Sequence, residues 1–200
     1  MSCVRLLAVG LLFSSVALLA QHPEHAAAMA KSGMTAAQKI ASAKSAAPMA
    51  ISAHATIMDF PDKPGGEMKQ LAAGTNGWVC YPTTPSSMKG GNDPMCLDKQ
   101  WQGWAEAWMK KTPPPTVAGH GIAYMLMGDR GASNTDPFAT EAKPDNHWIV
   151  SPPHIMLLVD DPKMLDTYSD DPKSGGPWVM WKGTPYAHLM VPVSRRLAAK

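Results

Sequence analysis

The 200-residue sequence contains few charged residues and little cysteine. Asp, Glu, Lys and Arg make up 17% of the chain, which is below the quarter that is usual for globular domains. Four of the 18 Lys and Arg residues and one of the 16 Asp and Glu residues precede residue 54, which leaves 14 basic and 15 acidic residues after it. Because no Lys/Arg stripe remains that could follow a phosphate backbone, we expect no nucleic-acid partner.

The sequence also lacks the motifs of common catalytic and cofactor sites. Gly-x-Ser-x-Gly, His-Glu-x-x-His and Cys-x-x-Cys do not occur, and neither do the glycine motifs of nucleotide-binding loops. Their absence favours a binding or accessory module over an enzyme.

One apolar run stands at the start of the chain, and no later run is long enough to span a membrane. Arg5 precedes the apolar stretch Leu6 to Ala20, which is shorter than the ~20 apolar residues that span a bilayer. This pattern is typical of a cleavable signal peptide over residues 1–20. We therefore expect an exported protein, periplasmic or extracellular, with no membrane span in its mature form.

The three cysteines predict one disulfide. Cys3 leaves with the signal peptide, so Cys80 and Cys96 remain as a pair. In an oxidising compartment such a pair is expected to form a disulfide. The bond would close a loop of about 15 residues and stabilise the fold by roughly 3 kcal/mol. A metal site with two thiolates is the alternative, but the spacing of the two residues does not support it.

The rest of the chain divides into a spacer and a folded domain. Residues 21–53 are rich in Ala, Ser, Lys and Met and predict a flexible spacer. Residues 54–200 predict one disulfide-closed domain. Within it, Asn76-Gly77 indicates a hairpin between a strand at 68–73 and a strand at 77–81.

Tryptophan spacing predicts a single amphipathic helix from Asp98 to Lys111. Trp101, Trp104 and Trp108 fall on one face of that helix, and three prolines end it at residues 113–115. Short strands with short links occupy much of the remainder, and Pro/Gly-rich loops separate them. The sequence thus predicts an α+β fold: a single small domain with a mostly antiparallel sheet, one Trp-rich helix and long Pro/Gly loops.

Five segments carry a resemblance to known proteins. They read GTNGWVC at 74–80, NDPMCLD at 92–98, GASNTDPFAT at 131–140, PHIMLLV at 153–159 and VMWKGTPYAHLMVPV at 179–193. Across about residues 55 to 195 the chain resembles a family of secreted bacterial proteins that has no assigned activity. The resemblance implies export and a single domain, and it implies no mechanism.

A His-x-Met triplet occurs twice on predicted strands. His154 and Met156 form one pair, and His188 and Met190 form the other. Residues two apart on a strand share a face, so each triplet presents an imidazole and a thioether together. These donors suit Cu(I) if the two strands bring them to one place. His120 is a spare candidate ligand, and Met125 and Met127 add further thioethers on a nearby predicted strand. The alternative is a packed core, which methionine fills well, and burial of the pairs among apolar residues would favour it.

Two further hypotheses concern the loop at 128–144 and the tryptophans. Asp129, Ser133, Asp136 and His120 are weak candidates for a hydrolytic group, because a carboxylate can orient a histidine as a general base. The seven tryptophans would form a stacking platform if several were exposed, and core packing is the alternative. A structural or interaction protein without a ligand site is the third class of function.

Overall fold

The structure is a computed structural model that describes residues 33–61, 66–84 and 92–193. From Met34 onward the chain forms one compact unit. The predicted signal peptide lies outside the described residues, and so does the first part of the predicted spacer.

In the described residues ten strands form two sheets. Their bounds are Thr56–Asp59 (β1), Lys69–Ala72 (β2), Val79–Tyr81 (β3), Met95–Leu97 (β4), Gly121–Met125 (β5), Asp129–Ser133 (β6), Trp148–Ser151 (β7), His154–Leu158 (β8), Trp178–Met180 (β9) and His188–Pro192 (β10). Eight strands form one sheet in the order β2-β1-β3-β4-β5-β8-β10-β9, and β6 pairs with β7. Only β1 and β3 run parallel among these neighbours. The small single domain with a mostly antiparallel sheet is confirmed.

The predicted hairpin around Asn76-Gly77 does not form. Strand β1 lies between the two segments: it pairs antiparallel with β2 and parallel with β3. The connecting turn instead wraps around the start of β1, where the Thr75 amide donates to the carbonyl of His54 (2.8 Å). A Cβ on Gly74 would lie 2.1 Å from the Thr56 nitrogen, so this close approach requires glycine.

The predicted flexible spacer differs from the structure in its second half. Helix α1 spans Ala36–Ser45 and the short helix α2 spans Met49–Ser52. Thr35 and Gln38 form a capping box at the start of α1. Small alanines bury one side of the segment against β1, β3 and β4, and the Lys39 ammonium pairs with the largely buried Asp59 carboxylate at 2.6 Å. Sequence reasoning missed this contact because alanine gives a weak amphipathic signal.

Cys80 and Cys96 form the disulfide that the sequence predicts. They are directly paired residues of β3 and β4, with Cα atoms 4.0 Å apart. Both are fully buried beneath α1. The disulfide therefore links two neighbouring strands under the N-terminal helices.

Helix α3 spans Lys99–Lys110 and covers one face of the large sheet. Asp98 caps it by accepting a hydrogen bond from the Trp101 amide (2.9 Å), and Lys111 ends it in a left-handed conformation. Its Trp101 and Trp104 are buried against β5, β8, β9 and β10.

The opposite face of the sheet is covered in two places. Helices α1 and α2 cover the β1–β3–β4 end. A 3₁₀ helix at Pro162–Thr167 brings Leu165 against Val179 and Leu189 at the other end. The strands β8, β10 and β9 are thus buried on both faces.

Candidate functional site

The strand register brings the four predicted metal ligands onto one face of the sheet. Met156 of β8 and Met190 of β10 are directly opposite each other in an antiparallel pair. Side chains alternate along a strand, so His154 and His188 share the face of these methionines. That face lies under α3 in the main core. The two histidines do not lie opposite each other: His154 pairs with Pro192, four residues along β10 from His188, which separates them by roughly 13 Å along the strands.

Two more methionines lie directly across the ladder from the histidines. Met125 of β5 is opposite His154, and Met180 of β9 is opposite His188. Directly opposed residues have Cβ atoms about 4.5–5.5 Å apart, within reach of a long side chain. Each imidazole thus has one thioether two residues along its strand and another across from it. We call these six residues the imidazole–thioether cluster: His154, His188, Met125, Met156, Met180 and Met190.

Sequence reasoning found part of this set. It noted Met125 together with Met127, but Met127 is exposed. It missed Met180, which is buried. The available signal was weak: Met180 falls on a predicted strand, but nothing local shows that this strand pairs with β10.

Each histidine of the cluster is held by a backbone carbonyl. Nδ1 of His154 lies 2.7 Å from the carbonyl oxygen of Pro152, and Nδ1 of His188 lies 3.0 Å from that of Tyr186. A carbonyl can only accept a hydrogen bond, so Nδ1 must carry the proton in both rings. In a neutral imidazole the other nitrogen, Nε2, then presents a lone pair.

Burial keeps both rings neutral. Desolvation lowers the pKa of His154, against the opposing hydrogen bond to Pro152. Desolvation is the main cause that lowers the pKa of His188 to about 4; the hydrogen bond to the Tyr186 carbonyl opposes this shift, and the charge that His154 would carry adds to it.

The Nε2 atoms of both histidines are buried and have no hydrogen-bond partner among the described residues. Such an acceptor costs roughly 1–3 kcal/mol, so two of them in one core need an explanation. Apolar packing accounts for the buried methionines, as the alternative from the sequence holds. It does not account for the two unpartnered Nε2 lone pairs. Both rings are fixed in the tautomer with the proton on Nδ1, as in histidines that ligate a metal through Nε2.

The cluster contains no carboxylate or thiol. Within the described ranges, no group of three or more His, Cys, Asp or Glu side chains is arranged to hold a metal ion. A metal at His154 or at His188 would therefore depend on thioether sulfur for its remaining ligands. This donor set is neutral and soft.

The candidate catalytic residues do not converge. Strand β6 occupies part of the predicted loop at 128–144 and fixes Ser133, whose buried hydroxyl donates to the Asn146 carbonyl (2.5 Å) and accepts from the Asp136 amide. Asp136 accepts from a backbone amide, and so does Asp129. His120 is exposed. In the part of the chain that the structure describes, no hydrogen bond joins a histidine to either aspartate.

The seven tryptophans do not form an exposed row. Three of them, Trp101, Trp104 and Trp178, are buried, and the other four are half-buried. Trp104, Trp108 and Trp181 stack with nearly parallel rings. This arrangement fits core packing better than a platform open to solvent.

No protein-family model, curated protein or solved structure matches this chain. Among the described residues, no helix combines the length and apolar character that a membrane crossing requires. Function must therefore be argued from the side chains themselves, and the imidazole–thioether cluster is the arrangement with the most specific chemistry.

Proposed function

We propose that this protein is an exported binding protein for Cu(I), held by the imidazole–thioether cluster. The observation that carries the proposal is the pair of unpartnered Nε2 atoms on His154 and His188. Each belongs to a ring whose other nitrogen donates to a backbone carbonyl. Protein metal sites orient their histidines in this way.

The donor set favours Cu(I) over other ions. Thioether sulfur is soft and selects Cu(I), and imidazole also suits copper. His188 supplies nitrogen to one set of donors, with sulfur from Met180 and Met190. His154 forms the matching set with Met125 and Met156 at the other end of the cluster. Hard ions such as Ca²⁺ and Mg²⁺ require oxygen ligands, which the cluster lacks.

Export is the second part of the proposal. The disulfide between Cys80 and Cys96 is compatible with an oxidising compartment. The predicted signal peptide at residues 1–20 would deliver the chain there. In such a compartment the cluster would bind or buffer the ion.

A structural protein without a ligand site is the competing candidate. In that case a buried water would satisfy each Nε2 atom, because ordered waters commonly serve otherwise unpartnered polar groups. Trp101 offers a specific reason to consider it. Its indole N–H also lacks a partner, and its ring lies 5.2 Å from that of His188. One water could join this donor to the His188 acceptor.

A titration with conservative variants separates these two candidates. Mature protein is titrated with Cu(I) under anaerobic conditions against a competing chelator. Met156→Leu/Met190→Leu removes both facing sulfur atoms while keeping the core volume, a change that usually costs less than about 1.5 kcal/mol per site. We expect stoichiometric binding by the wild type and at least a tenfold loss of affinity in the double variant.

Met95→Leu is the matched control. Met95 is a half-buried methionine that packs against the same core from β4, so its replacement should leave Cu(I) affinity unchanged. Thermal unfolding checks that each variant is folded. Absence of stoichiometric binding by the folded wild type, or equal affinity in the wild type and the double variant, would overturn the proposal.

A further inference from the structure

Three indole rings enclose His188. The centroid of its imidazole lies 5.2 Å from Trp101, 5.6 Å from Trp104 and 5.1 Å from Trp181. All three contacts are edge-to-face, with interplanar angles of 81–82°. We call these three residues the indole wall. His188 therefore has aromatic rings around it on the α3 side and thioethers on its own sheet.

Two members of the wall are locked together. Trp104 and Trp181 stack with an interplanar angle of 1° and centroids 5.9 Å apart. The indole N–H of Trp181 donates to the Ser133 carbonyl (2.7 Å), which fixes the ring from the β6 side. The wall is thus held by α3 and by the two-stranded sheet together.

The backbone of Trp181 is unusual for such a large residue. Its φ is +56°, a backbone conformation that residues other than glycine rarely adopt. Backbone of this kind persists only where the surrounding structure enforces it, and it occurs often at ligand sites. Here it carries the indole that approaches His188 most closely.

The charge of the surroundings restricts the ion. The cluster supplies only neutral donors, and within the described ranges no set of acidic side chains joins the two histidines. The cost of burying an ion in a low-dielectric site rises with the square of its charge. A monovalent ion is therefore much less costly here than a divalent one, and indole faces stabilise a desolvated cation through cation–π attraction.

The geometry points to the indole wall as part of the metal site: an ion bound to Nε2 of His188 lies among the rings of Trp101, Trp104 and Trp181, and the wall selects monovalent soft ions. This inference rests on the proposed function, since it concerns the same ion. It adds three indole rings to the determinants of binding, although none of them is a usual metal ligand.

Ag(I) is the probe for this inference, because it is monovalent and soft and does not change oxidation state during the titration. Trp181→Leu removes one π face of the wall. Trp108→Leu is the matched control: Trp108 is also half-buried, stacks on Trp181 and donates its indole N–H to a carbonyl, and it makes no recorded ring contact with His188. Ag(I) affinity is measured by calorimetry, and tryptophan fluorescence reports contact between the ion and indole rings.

We expect Ag(I) to quench wild-type fluorescence in proportion to binding. Trp181→Leu should weaken binding by about threefold to thirtyfold, as loss of a desolvated cation–π contact predicts. Trp108→Leu should bind like the wild type. Trp181→Phe retains an aromatic face and should recover most of the affinity, which keeps the test informative if the leucine variant folds poorly. Zn(II) at equal concentration should not displace Ag(I).

Two negative outcomes have different meanings. If Ag(I) and Cu(I) both fail to bind the wild type, the proposed function is lost. A second outcome refutes only the indole wall. In that outcome Ag(I) binds with an affinity that depends on Met156 and Met190, but tryptophan emission does not change and the two tryptophan variants bind Ag(I) equally well. Displacement of Ag(I) by Zn(II) would refute selection by charge.

Discussion

Lowering the pH from 7 to 5 should destabilise this fold because His188 must stay neutral in the core. Burial lowers the pKa of His188 from its ordinary 6.5 to about 4; the hydrogen bond to the Tyr186 carbonyl opposes this shift and the charge of His154 adds to it. In the unfolded chain the ring regains its ordinary pKa. Between these two values the unfolded state binds more protons, so stability falls as the pH falls.

The size of the effect follows from the two pKa values. A difference of 2.5 pKa units between 6.5 and about 4 corresponds to about 3 kcal/mol, lost in full only below pH 4. By pH 5 the loss is about 2 kcal/mol, and at pH 7 it is negligible. The pKa of His154 is lowered as well, so its contribution has the same sign. Such a loss is a large share of the roughly 5–15 kcal/mol that stabilises a typical domain.

Urea denaturation of the metal-free protein at pH 7, 6 and 5 measures this loss directly. His188→Phe removes the titrating group and keeps a ring in the core. Whatever its absolute stability, this variant should lose about 2 kcal/mol less than the wild type between pH 7 and pH 5. His120→Gln alters an exposed histidine and should follow the wild type. Parallel curves for the wild type and His188→Phe would refute the argument, since His188 would then not be a buried neutral ring.

Two other predictions test the remaining parts of the fold. Lys39→Ala should destabilise the protein by about 2 kcal/mol in urea denaturation, because Asp59 would keep a buried charge without its partner. Lys44→Ala, at an exposed position of the same helix, is the control. Equal losses of stability in the two variants would show that α1 does not depend on the ion pair. Burial raises the pKa of the Asp129 carboxyl, so the ionised form of this group lowers the stability of the fold at pH 7. Asp129→Asn should therefore stabilise the protein at pH 7 but not at pH 3. Asp136→Asn, at an exposed site, should change little at either pH, and a destabilised Asp129→Asn at pH 7 would contradict the reasoning.

Local patterns predicted many of the elements. Short apolar runs predicted the strands at β8 and β10, as is typical of strands that are covered on both faces. The Asp98 cap and the tryptophan spacing defined a helix that the structure places at Lys99–Lys110. These elements depend on residues that lie within one helical turn or one strand of each other, so a single sequence is enough to predict them.

Pairing between distant segments was not predictable in the same way. Asn76-Gly77 has the composition of a tight hairpin, yet β1 lies between the two strands. The alanines of α1 carry little hydrophobic signal, and their burial depends on close approach to β3 and β4. In both cases the structure depends on which distant segments pack together, and the packing of the whole core determines this.

The candidate site combines a local feature with a distant one. Each ring donates to the carbonyl two residues before it, Pro152 for His154 and Tyr186 for His188, so the tautomer is set within a tripeptide at the start of a strand. On an exposed strand the same tripeptide would leave Nε2 in water, where it has no special chemistry. Here both rings are buried in the core, and that burial turns two ordinary histidines into candidate ligands. A sequence shows the tripeptide and the methionines, but only the packing of the whole core shows that neither lone pair has a partner among the described residues.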